Sequence, residues 1–290
     1  MLMKTHTRFD SFFQGRAFEF LRRLIDLSLE EDGTDLTSNA AFPEHSSARA
    51  VVTAKEDCVV AGLPIAACIL DRIPGQCSLS LLAGEGEHAA PGSRLMSISG
   101  QTRKILKAER IILNFLARLS GIATLTRSFC SKLEGTGVTL LDTRKTTPGH
   151  RYPEKYAVLV GGAMNHRLNL EQMLMLKDNH IDGLGSITAA VRALRAAYVP
   201  CPPIEVECRN TDHVREAVSA GVDWIMLDNM SIPEIEKALQ IIPQKISSEV
   251  SGGITLDNIE GFAALKPDYI STGAITHSAP GIDLSMRIEV

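Results

Sequence analysis

The sequence predicts an α/β protein in which a small strand-rich layer precedes a repeating strand and helix array. Three observations carry this expectation. From Ala48 to Gly100, short alternating or apolar runs are separated by Pro and Gly, the pattern of a strand-rich layer. From Val138 onward, apolar runs of strand length alternate with helical patterns, which implies parallel strands joined by crossover helices. Charged or glycine residues fall at or just after the end of each of those runs, and in an α/β barrel such strand ends converge on one face. A closed or nearly closed barrel is favoured, with an open doubly wound sheet as the other topology the pattern allows.

The composition fits such a core. The 290 residues are 44% hydrophobic and 22% charged, enough for one large domain or one medium and one small. The N-terminal stretch lacks an apolar core followed by small residues, and the longest apolar run, Val59 to Leu70, is broken by Gly62 and Pro64. Neither a leader nor a membrane span is expected. Six cysteines (Cys58, Cys68, Cys77, Cys130, Cys201, Cys208) form no CxxC pair and sit mostly in apolar runs, so free thiols in a reducing cytoplasm are expected.

Net charge is −4, which argues against a nucleic-acid partner. Its distribution says more: Gly100 to His180 holds 13 Lys and Arg against 6 Asp and Glu, whereas the remainder holds 17 against 28. Positive charge concentrated in one segment of an acidic protein suits a small polyanion steered to one place.

In chain order, Phe18 to Leu29 has helical apolar spacing and stops at an acidic run followed by Gly33. Inside the strand-rich layer, Gly84-Glu85-Gly86 partly matches a dinucleotide fingerprint, but Pro91-Gly92 and another strand-like run follow where a helix should open, so a polar hairpin is expected. Thr102 to Glu134 is helical, with Ile105, Ile112, Phe115, Leu116 and Leu119 on an apolar face, Arg103, Lys107, Arg110, Asn114 and Arg118 on a basic one, and an interruption expected at Gly121. The later strands are Val138–Leu141, Met173–Leu176, Ile204–Val206, Trp224–Leu227, Lys245–Val250 and Tyr269–Ser271. Helices between them open at Pro153, Ser186, Thr211, Ser231 with Pro233, and Thr255.

The strand ends define one pocket. Arg144 and Arg167 offer planar forks for carboxylate or phosphate, and Lys145 and Lys177 offer compact charges. Ser251-Gly252-Gly253 and Thr272-Gly273-Ala274 place small residues where backbone N–H groups can cradle a phosphate. Glu205 and Glu207 lie two apart, so on a strand both face the same side, Glu207 nearer the mouth and Glu205 a deeper partner for a basic residue. Glu207 and Asp228 suit ribose hydroxyls, Mg²⁺ shared with substrate phosphates, or a cationic sugar transition state; charge compensation of the basic cluster is the plainer alternative. His166 and His180 lack a carboxylate at metal-ligand spacing, so no zinc site is expected, and Lys145-Thr146-Thr147 lacks the glycines of a P-loop.

Together these strings resemble the quinolinate phosphoribosyltransferases, the carboxylating nicotinate-nucleotide pyrophosphorylases. The match runs in order through Lys107–Arg110, Leu119–Ala123, Asp142–Gly149, Glu154–Ala157, Gly161-Gly162, Asn165–Arg167, Lys177–His180, Glu205–Glu207, Leu227–Asn229, Ser251–Gly253 and Gly273–Ser278. The resemblance implies an N-terminal α/β sandwich domain over residues 1–120 with its long helix, and a seven-stranded open α/β barrel over 121–290 whose last residues are free to return to the first domain. It implies a pentosyltransferase that moves phosphoribose from phosphoribosyl pyrophosphate to quinolinate with Mg²⁺, giving nicotinate mononucleotide, pyrophosphate and CO₂ for NAD synthesis. The implied quinolinate residues are Arg110, Thr143, Arg144, His166, Arg167 and Lys177, with Arg110 reaching from the neighbouring subunit of a homodimer. Lys145, Lys177, Glu207 and Asp228 would serve ribose and pyrophosphate, Glu207 and Asp228 also the metal, and Lys145, Glu207 and Asp228 the catalytic step. Ser251, Gly252, Gly253, Thr272, Gly273, Ala274 and His277 would hold the 5′-phosphate. The sequence departs from the family at Leu36 and Ser38, His150 and Ala163, none of them charged-ligand positions, and only six of seven barrel strands are legible. Paralogues associated with molybdate transport, or a phosphometabolite-binding dimer without turnover, are the alternatives.

Overall fold

The computed structural model describes residues 7–289; the first residues of the N-terminal stretch read for a leader lie outside them. Among the described residues the elements run, in chain order, α1 (Thr7–Phe12), α2 (Gly15–Glu31), α3 (Leu36–Ala41), β1 (Ser47–Ala54), β2 (Cys58–Val59), α4 (Leu63–Arg72), β3 (Cys77–Leu81), β4 (His88–Ala89), β5 (Arg94–Gln101), α5 (Thr102–Leu133) and β6 (Thr139–Leu141). They continue with α6 (Arg151–Gly161), β7 (Leu174–Leu176), α7 (Asp178–Leu184), α8 (Ile187–Ala197), β8 (Ile204–Cys208), α9 (Thr211–Ala220), β9 (Trp224–Asp228), α10 (Ile232–Leu239), β10 (Ser247–Ser251), α11 (Ile259–Ala263), β11 (Tyr269–Ser271), α12 (Ala274–His277) and β12 (Leu284–Glu289). No helix of the described residues is long and apolar enough to cross a membrane.

The chain forms two compact units. One runs to Arg127 and takes in Thr146–Gly162 and the stretch from Ile275; the other comprises Ser128–Lys145 and Ala163–Ala274.

The first unit is built on a sheet of order β12-β1-β5-β3, so the C-terminal strand closes the sheet beside β1 in antiparallel register. Its helix α2 buries Ala17, Leu21 and Ile25, one residue per turn. Asp35 starts α3 by accepting from the Ser38 amide at 2.9 Å, and the Ser38 hydroxyl first, then this amide, hold the Asp35 carboxyl below its usual range. The Gly84–Gly86 segment is a turn leading into β4, as its following Pro-Gly suggested. Its Glu85 carboxylate has a use that no local pattern announces: it accepts from the Gly62 and Leu63 amides, at 2.5 and 3.0 Å, and so caps α4. Helix α5 runs unbroken through Gly121, contrary to the interruption expected there. A Cβ at Gly121 would stand 1.8 Å from the Pro280 carbonyl oxygen, so this glycine serves a close approach.

The second unit is a parallel sheet of order β6-β11-β10-β9-β8-β7, with its connecting helices between successive strands. Six strands pair among the described residues, and the place of a seventh is taken by one bridge: Met164 pairs in parallel with Leu141 beyond the edge strand β6. The Met164 amide donates to the Leu140 carbonyl at 3.0 Å, and the Asp142 amide to the Met164 carbonyl at 3.2 Å. A single paired residue has no alternating run, which is why the sequence hid it. Ser186 and Ser231 cap α8 and α10 as expected, whereas the caps of α9 and α11 are Asn210 and Asn258, beside or within a few residues of the expected Thr211 and Thr255.

Candidate active site

Because the sheet of the second unit is parallel, its C-terminal strand ends share one edge, and most of the sequence-predicted site residues stand there. Thr143, Arg144 and Lys145 follow β6; His166 and Arg167 follow the Met164 bridge; Lys177 follows β7; Glu207 lies in β8. Asp228 and Ser251 end β9 and β10, Gly252 and Gly253 come next, and Thr272, Gly273 and Ala274 follow β11. Arg110 and His277 belong to the other unit. Arg110 is exposed on α5, and its guanidinium makes no hydrogen bond or ion pair to the described residues; His277 is exposed with Nδ1 2.7 Å from Ser278 Oγ.

Fully buried Asp142 organises the basic side of the edge. Its Oδ1 accepts from the His166 amide at 2.8 Å and its Oδ2 from Asn165 Nδ2 at 2.7 Å, fixing the loop after the Met164 bridge to the loop after β6. Arg167 is held by the Met173 carbonyl, 3.0 Å from Nη1, and by Met175 Sδ, 3.4 Å from Nη2. Burial, and next the Arg144 guanidinium, pull its pKa below the usual arginine value. Arg144 Nε is itself buried without a hydrogen-bond partner among the described residues. Two guanidinium groups brought near one another, one with a buried donor unmet, make a site that an anion completes.

His166 sits beneath this cluster, with Nδ1 accepting from the Arg167 amide at 2.7 Å. The ring proton is therefore on Nε2, which lies 3.1 Å from Glu205 Oε2 and 3.5 Å from Glu249 Oε2. Both glutamates are fully buried, and burial pushes each carboxyl up to about 8. The basic partner expected for Glu205 is thus His166, while Glu249 was not anticipated, although its position two residues before Ser251 on β10 places both on one side of the strand. His166, Glu205 and Glu249 offer three ligand atoms within 4.8 Å of one another, so they are a candidate cation cluster. A hydrogen-bonded acid cluster accounts for the same atoms, because the His166 to carboxylate spacings are N–H···O distances.

On the acidic side, Lys177 Nζ donates to Glu207 Oε2 at 2.5 Å, and the Lys177 amide donates to His180 Nδ1 at 3.0 Å. Asp228 accepts from Asn229 Nδ2 at 2.6 Å. Burial, and then Glu207, raise the Asp228 pKa, while Lys177 and Lys145 oppose the shift. Glu207 and Asp228 therefore supply hard oxygen donors whose mutual repulsion a divalent cation would relieve, which fits Mg²⁺ shared with substrate phosphates.

Small residues complete the edge. The Asn229 amide donates to the Ser251 carbonyl at 3.0 Å, and Ser271 Oγ donates to Ser251 Oγ at 3.0 Å. Gly252 has φ +95°, and a Cβ there would stand 2.3 Å from Asn229 Oδ1. Thr272 Oγ1 donates to the Ile254 carbonyl and accepts from the Ala274 amide, bracing the loop after β11.

Comparison with known proteins adds an independent line. Residues 35–120 match the quinolinate phosphoribosyl transferase N-terminal domain, and residues 122–287 its C-terminal domain. A probable nicotinate-nucleotide pyrophosphorylase [carboxylating] from Synechocystis is 44% identical over 239 residues, 81% of either chain. One from Bacillus subtilis is 38% identical, covering 92% of this chain and 93% of its own length. The crystal structure of NadC from Streptococcus pyogenes, 38% identical, overlays with a TM-score of 0.89 over 95% of this chain and 98% of its own.

Proposed function

The chain belongs to the quinolinate phosphoribosyltransferase family, and from that premise we propose how its barrel edge serves the reaction. The enzyme transfers phosphoribose from phosphoribosyl pyrophosphate to quinolinate, giving nicotinate mononucleotide, pyrophosphate and CO₂ in NAD synthesis. The observation that carries the reading is the juxtaposition along one strand edge of Arg144 and Arg167 with the Lys177–Glu207 pair and Asp228.

Quinolinate presents two carboxylates and a ring nitrogen. We assign the carboxylates to Arg144, whose buried Nε has no hydrogen-bond partner among the described residues, and to Arg167 beside it, with Thr143 and Lys177 alongside at the same strand edge. His166 supports them from below: both of its ring nitrogens are engaged within the protein, so it fixes the Arg167 backbone. The C1′–O bond to pyrophosphate breaks as the pyridine nitrogen bonds to C1′. Positive charge that develops on the sugar is balanced by Glu207 and Asp228, and negative charge on the departing pyrophosphate by Lys145. The nitrogen, now quaternary, makes the ring an electron sink. The adjacent carboxylate leaves as CO₂, its bonding pair passes to the ring carbon, and a proton takes its place there.

Glu207 and Asp228 would hold Mg²⁺ together with substrate oxygens, and the ion would supply charge neutralisation of pyrophosphate. Ser251 to Gly253, Thr272 to Ala274 and His277 are proposed to take the 5′-phosphate. The reaction is assigned to the cytoplasm, consistent with all six cysteines being free.

We further propose a homodimer in which the partner subunit's Arg110 completes the quinolinate site; the exposed guanidinium of Arg110, which makes no hydrogen bond or ion pair to the described residues, supports it. Purified protein mixed with quinolinate, phosphoribosyl pyrophosphate and Mg²⁺ should release CO₂ in step with quinolinate consumption. Ligand binding without CO₂ release would instead indicate a binding protein. For the shared site, Arg110→Ala and Lys145→Ala should each be nearly inactive, and after co-refolding should recover about a quarter of wild-type activity, since half of the random dimers carry one intact site of two. No recovery would refute the sharing.

A further inference from the structure

We propose that Arg118 and Glu154 are a positioning pair that sets the two backbone segments flanking the anion-binding side chains, Thr146-Thr147 beside Lys145 and Thr276 beside His277. The inference rests on the proposed roles of Lys145 and His277 and adds residues to which no role in this reaction has been given above.

Glu154 on α6 is fully buried, and Arg118 on α5 is largely so. Arg118 Nε and Nη2 donate to Glu154 Oε1 at 3.1 and 2.9 Å, while the other carboxylate oxygen, Oε2, accepts from the Thr147 amide at 3.2 Å. The guanidinium also reaches the C-terminal stretch: Nη2 donates to the Thr276 carbonyl at 2.6 Å and Nη1 to the Ala279 carbonyl at 2.9 Å. One ion pair thus grips the backbone of two segments that are far apart in sequence. The second segment lies along α5, where the Ile282 amide donates to the Ala117 carbonyl at 3.0 Å and Gly121 admits the Pro280 carbonyl.

A purely stabilising role is a weak account of this arrangement. A buried ion pair barely recovers its desolvation cost, and well-packed apolar replacements are often as stable. What an apolar pair cannot do is hold the Thr147 N–H and the Thr276 and Ala279 carbonyls. Thr147 is two residues from Lys145, and Thr276 directly precedes His277. Misplacing either side chain by about 1 Å is enough to weaken binding or turnover by up to ~10²-fold.

The test uses three variants of the full chain, each assayed for KM of both substrates and for thermal unfolding. Arg118→Lys keeps a charge against Glu154 but cannot reach two carbonyls as well, so KM for phosphoribosyl pyrophosphate should rise about tenfold while KM for quinolinate stays within about twofold. Glu154→Gln loosens the Thr147 amide beside Lys145 and should likewise raise KM for phosphoribosyl pyrophosphate more than KM for quinolinate. The double variant Arg118→Met/Glu154→Leu leaves no unpaired buried charge but frees the Thr147 N–H and the Thr276 and Ala279 carbonyls; it should fold with a lowered thermal midpoint and still show KM for phosphoribosyl pyrophosphate raised. Wild-type KM values in the folded double variant, or equal effects of Arg118→Lys on the two substrates, would overturn the proposal. An inactive wild type would instead refute the assigned reaction.

Discussion

Lys177 Nζ donates to Glu207 Oε2 at 2.5 Å, joining the C-terminal ends of neighbouring strands β7 and β8. The same ammonium opposes the upward shift that burial and Glu207 impose on Asp228. Lys177→Met removes that opposition, so the Asp228 carboxyl should hold its proton to a higher pH. In a pH profile of kcat/KM, the acid limb should move upward relative to the wild type. An unmoved limb would mean that the carboxylate pair does not govern activity.

Lys145 is exposed at the mouth and close enough to Asp228 to affect its ionisation. If it stabilises departing pyrophosphate, Lys145→Ala should cut kcat by ~10²-fold or more, the scale of losing one transition-state donor, with an unchanged thermal midpoint. Steady-state CO₂ release with circular dichroism alongside decides this; near-normal kcat would count against the role.

What the sequence revealed of this site depended on how each residue announces itself. Arg144, Lys145, Lys177, Glu207 and Asp228 end or follow apolar runs, and a parallel sheet turns that one-dimensional regularity into a shared edge. Asp142 opened the string after the first apolar run, but its role in holding the Asn165-His166 loop was not legible, and Glu249 was silent, because the importance of both lies in being buried, which a strand pattern does not distinguish from an outward polar residue. Arg118 lay in a basic helical stripe indistinguishable from a solvated face, and its meaning required the partners Glu154, Thr276 and Ala279 from distant stretches. Glu85 was read as part of a hairpin and does lie in a turn, but the helix it caps begins 22 residues earlier. Long-range pairing is what the periodicity of a single chain cannot show.

Glu249 also makes a stability prediction. Burial, and then Glu205, raise its carboxyl from 4.5 to about 8, so between those limits the folded protein holds a proton that the unfolded chain has released. The resulting stability is present at low pH and is lost as pH rises toward about 8. Glu249→Gln keeps the shape without the titration and should flatten part of the decline of the thermal midpoint over this range. Glu205, raised for the same principal reason, would retain the rest. An unchanged slope would show that Glu249 does not carry the proton.

The adjacent glycines at the end of β10 separate backbone strain from steric fit. Gly252 and Gly253 both have positive φ, +95° and +63°, so alanine at either costs about 1 kcal/mol or somewhat more from the left-handed conformation. Only Gly252 is crowded: its Cβ would meet Asn229 Oδ1 at 2.3 Å and the Asn229 amide nitrogen at 2.8 Å, whereas nothing lies within 4 Å at Gly253. The Asn229 amide is itself hydrogen-bonded to the Ser251 carbonyl, and its side chain holds Asp228, so the clash must displace the segment that carries a proposed ribose and metal ligand. Gly253→Ala should lower the thermal midpoint only slightly, because no described atom lies within 4 Å of the added methyl, and should raise KM for phosphoribosyl pyrophosphate only through the 5′-phosphate that Gly253 is proposed to hold. Gly252→Ala should lower the midpoint further and raise that KM about tenfold, as expected when a ligand-holding side chain is moved by a fraction of an ångström. Wild-type KM values in both variants would place the 5′-phosphate and ribose away from this turn, and would assign the close packing of Gly252 on Asn229 to the fold alone.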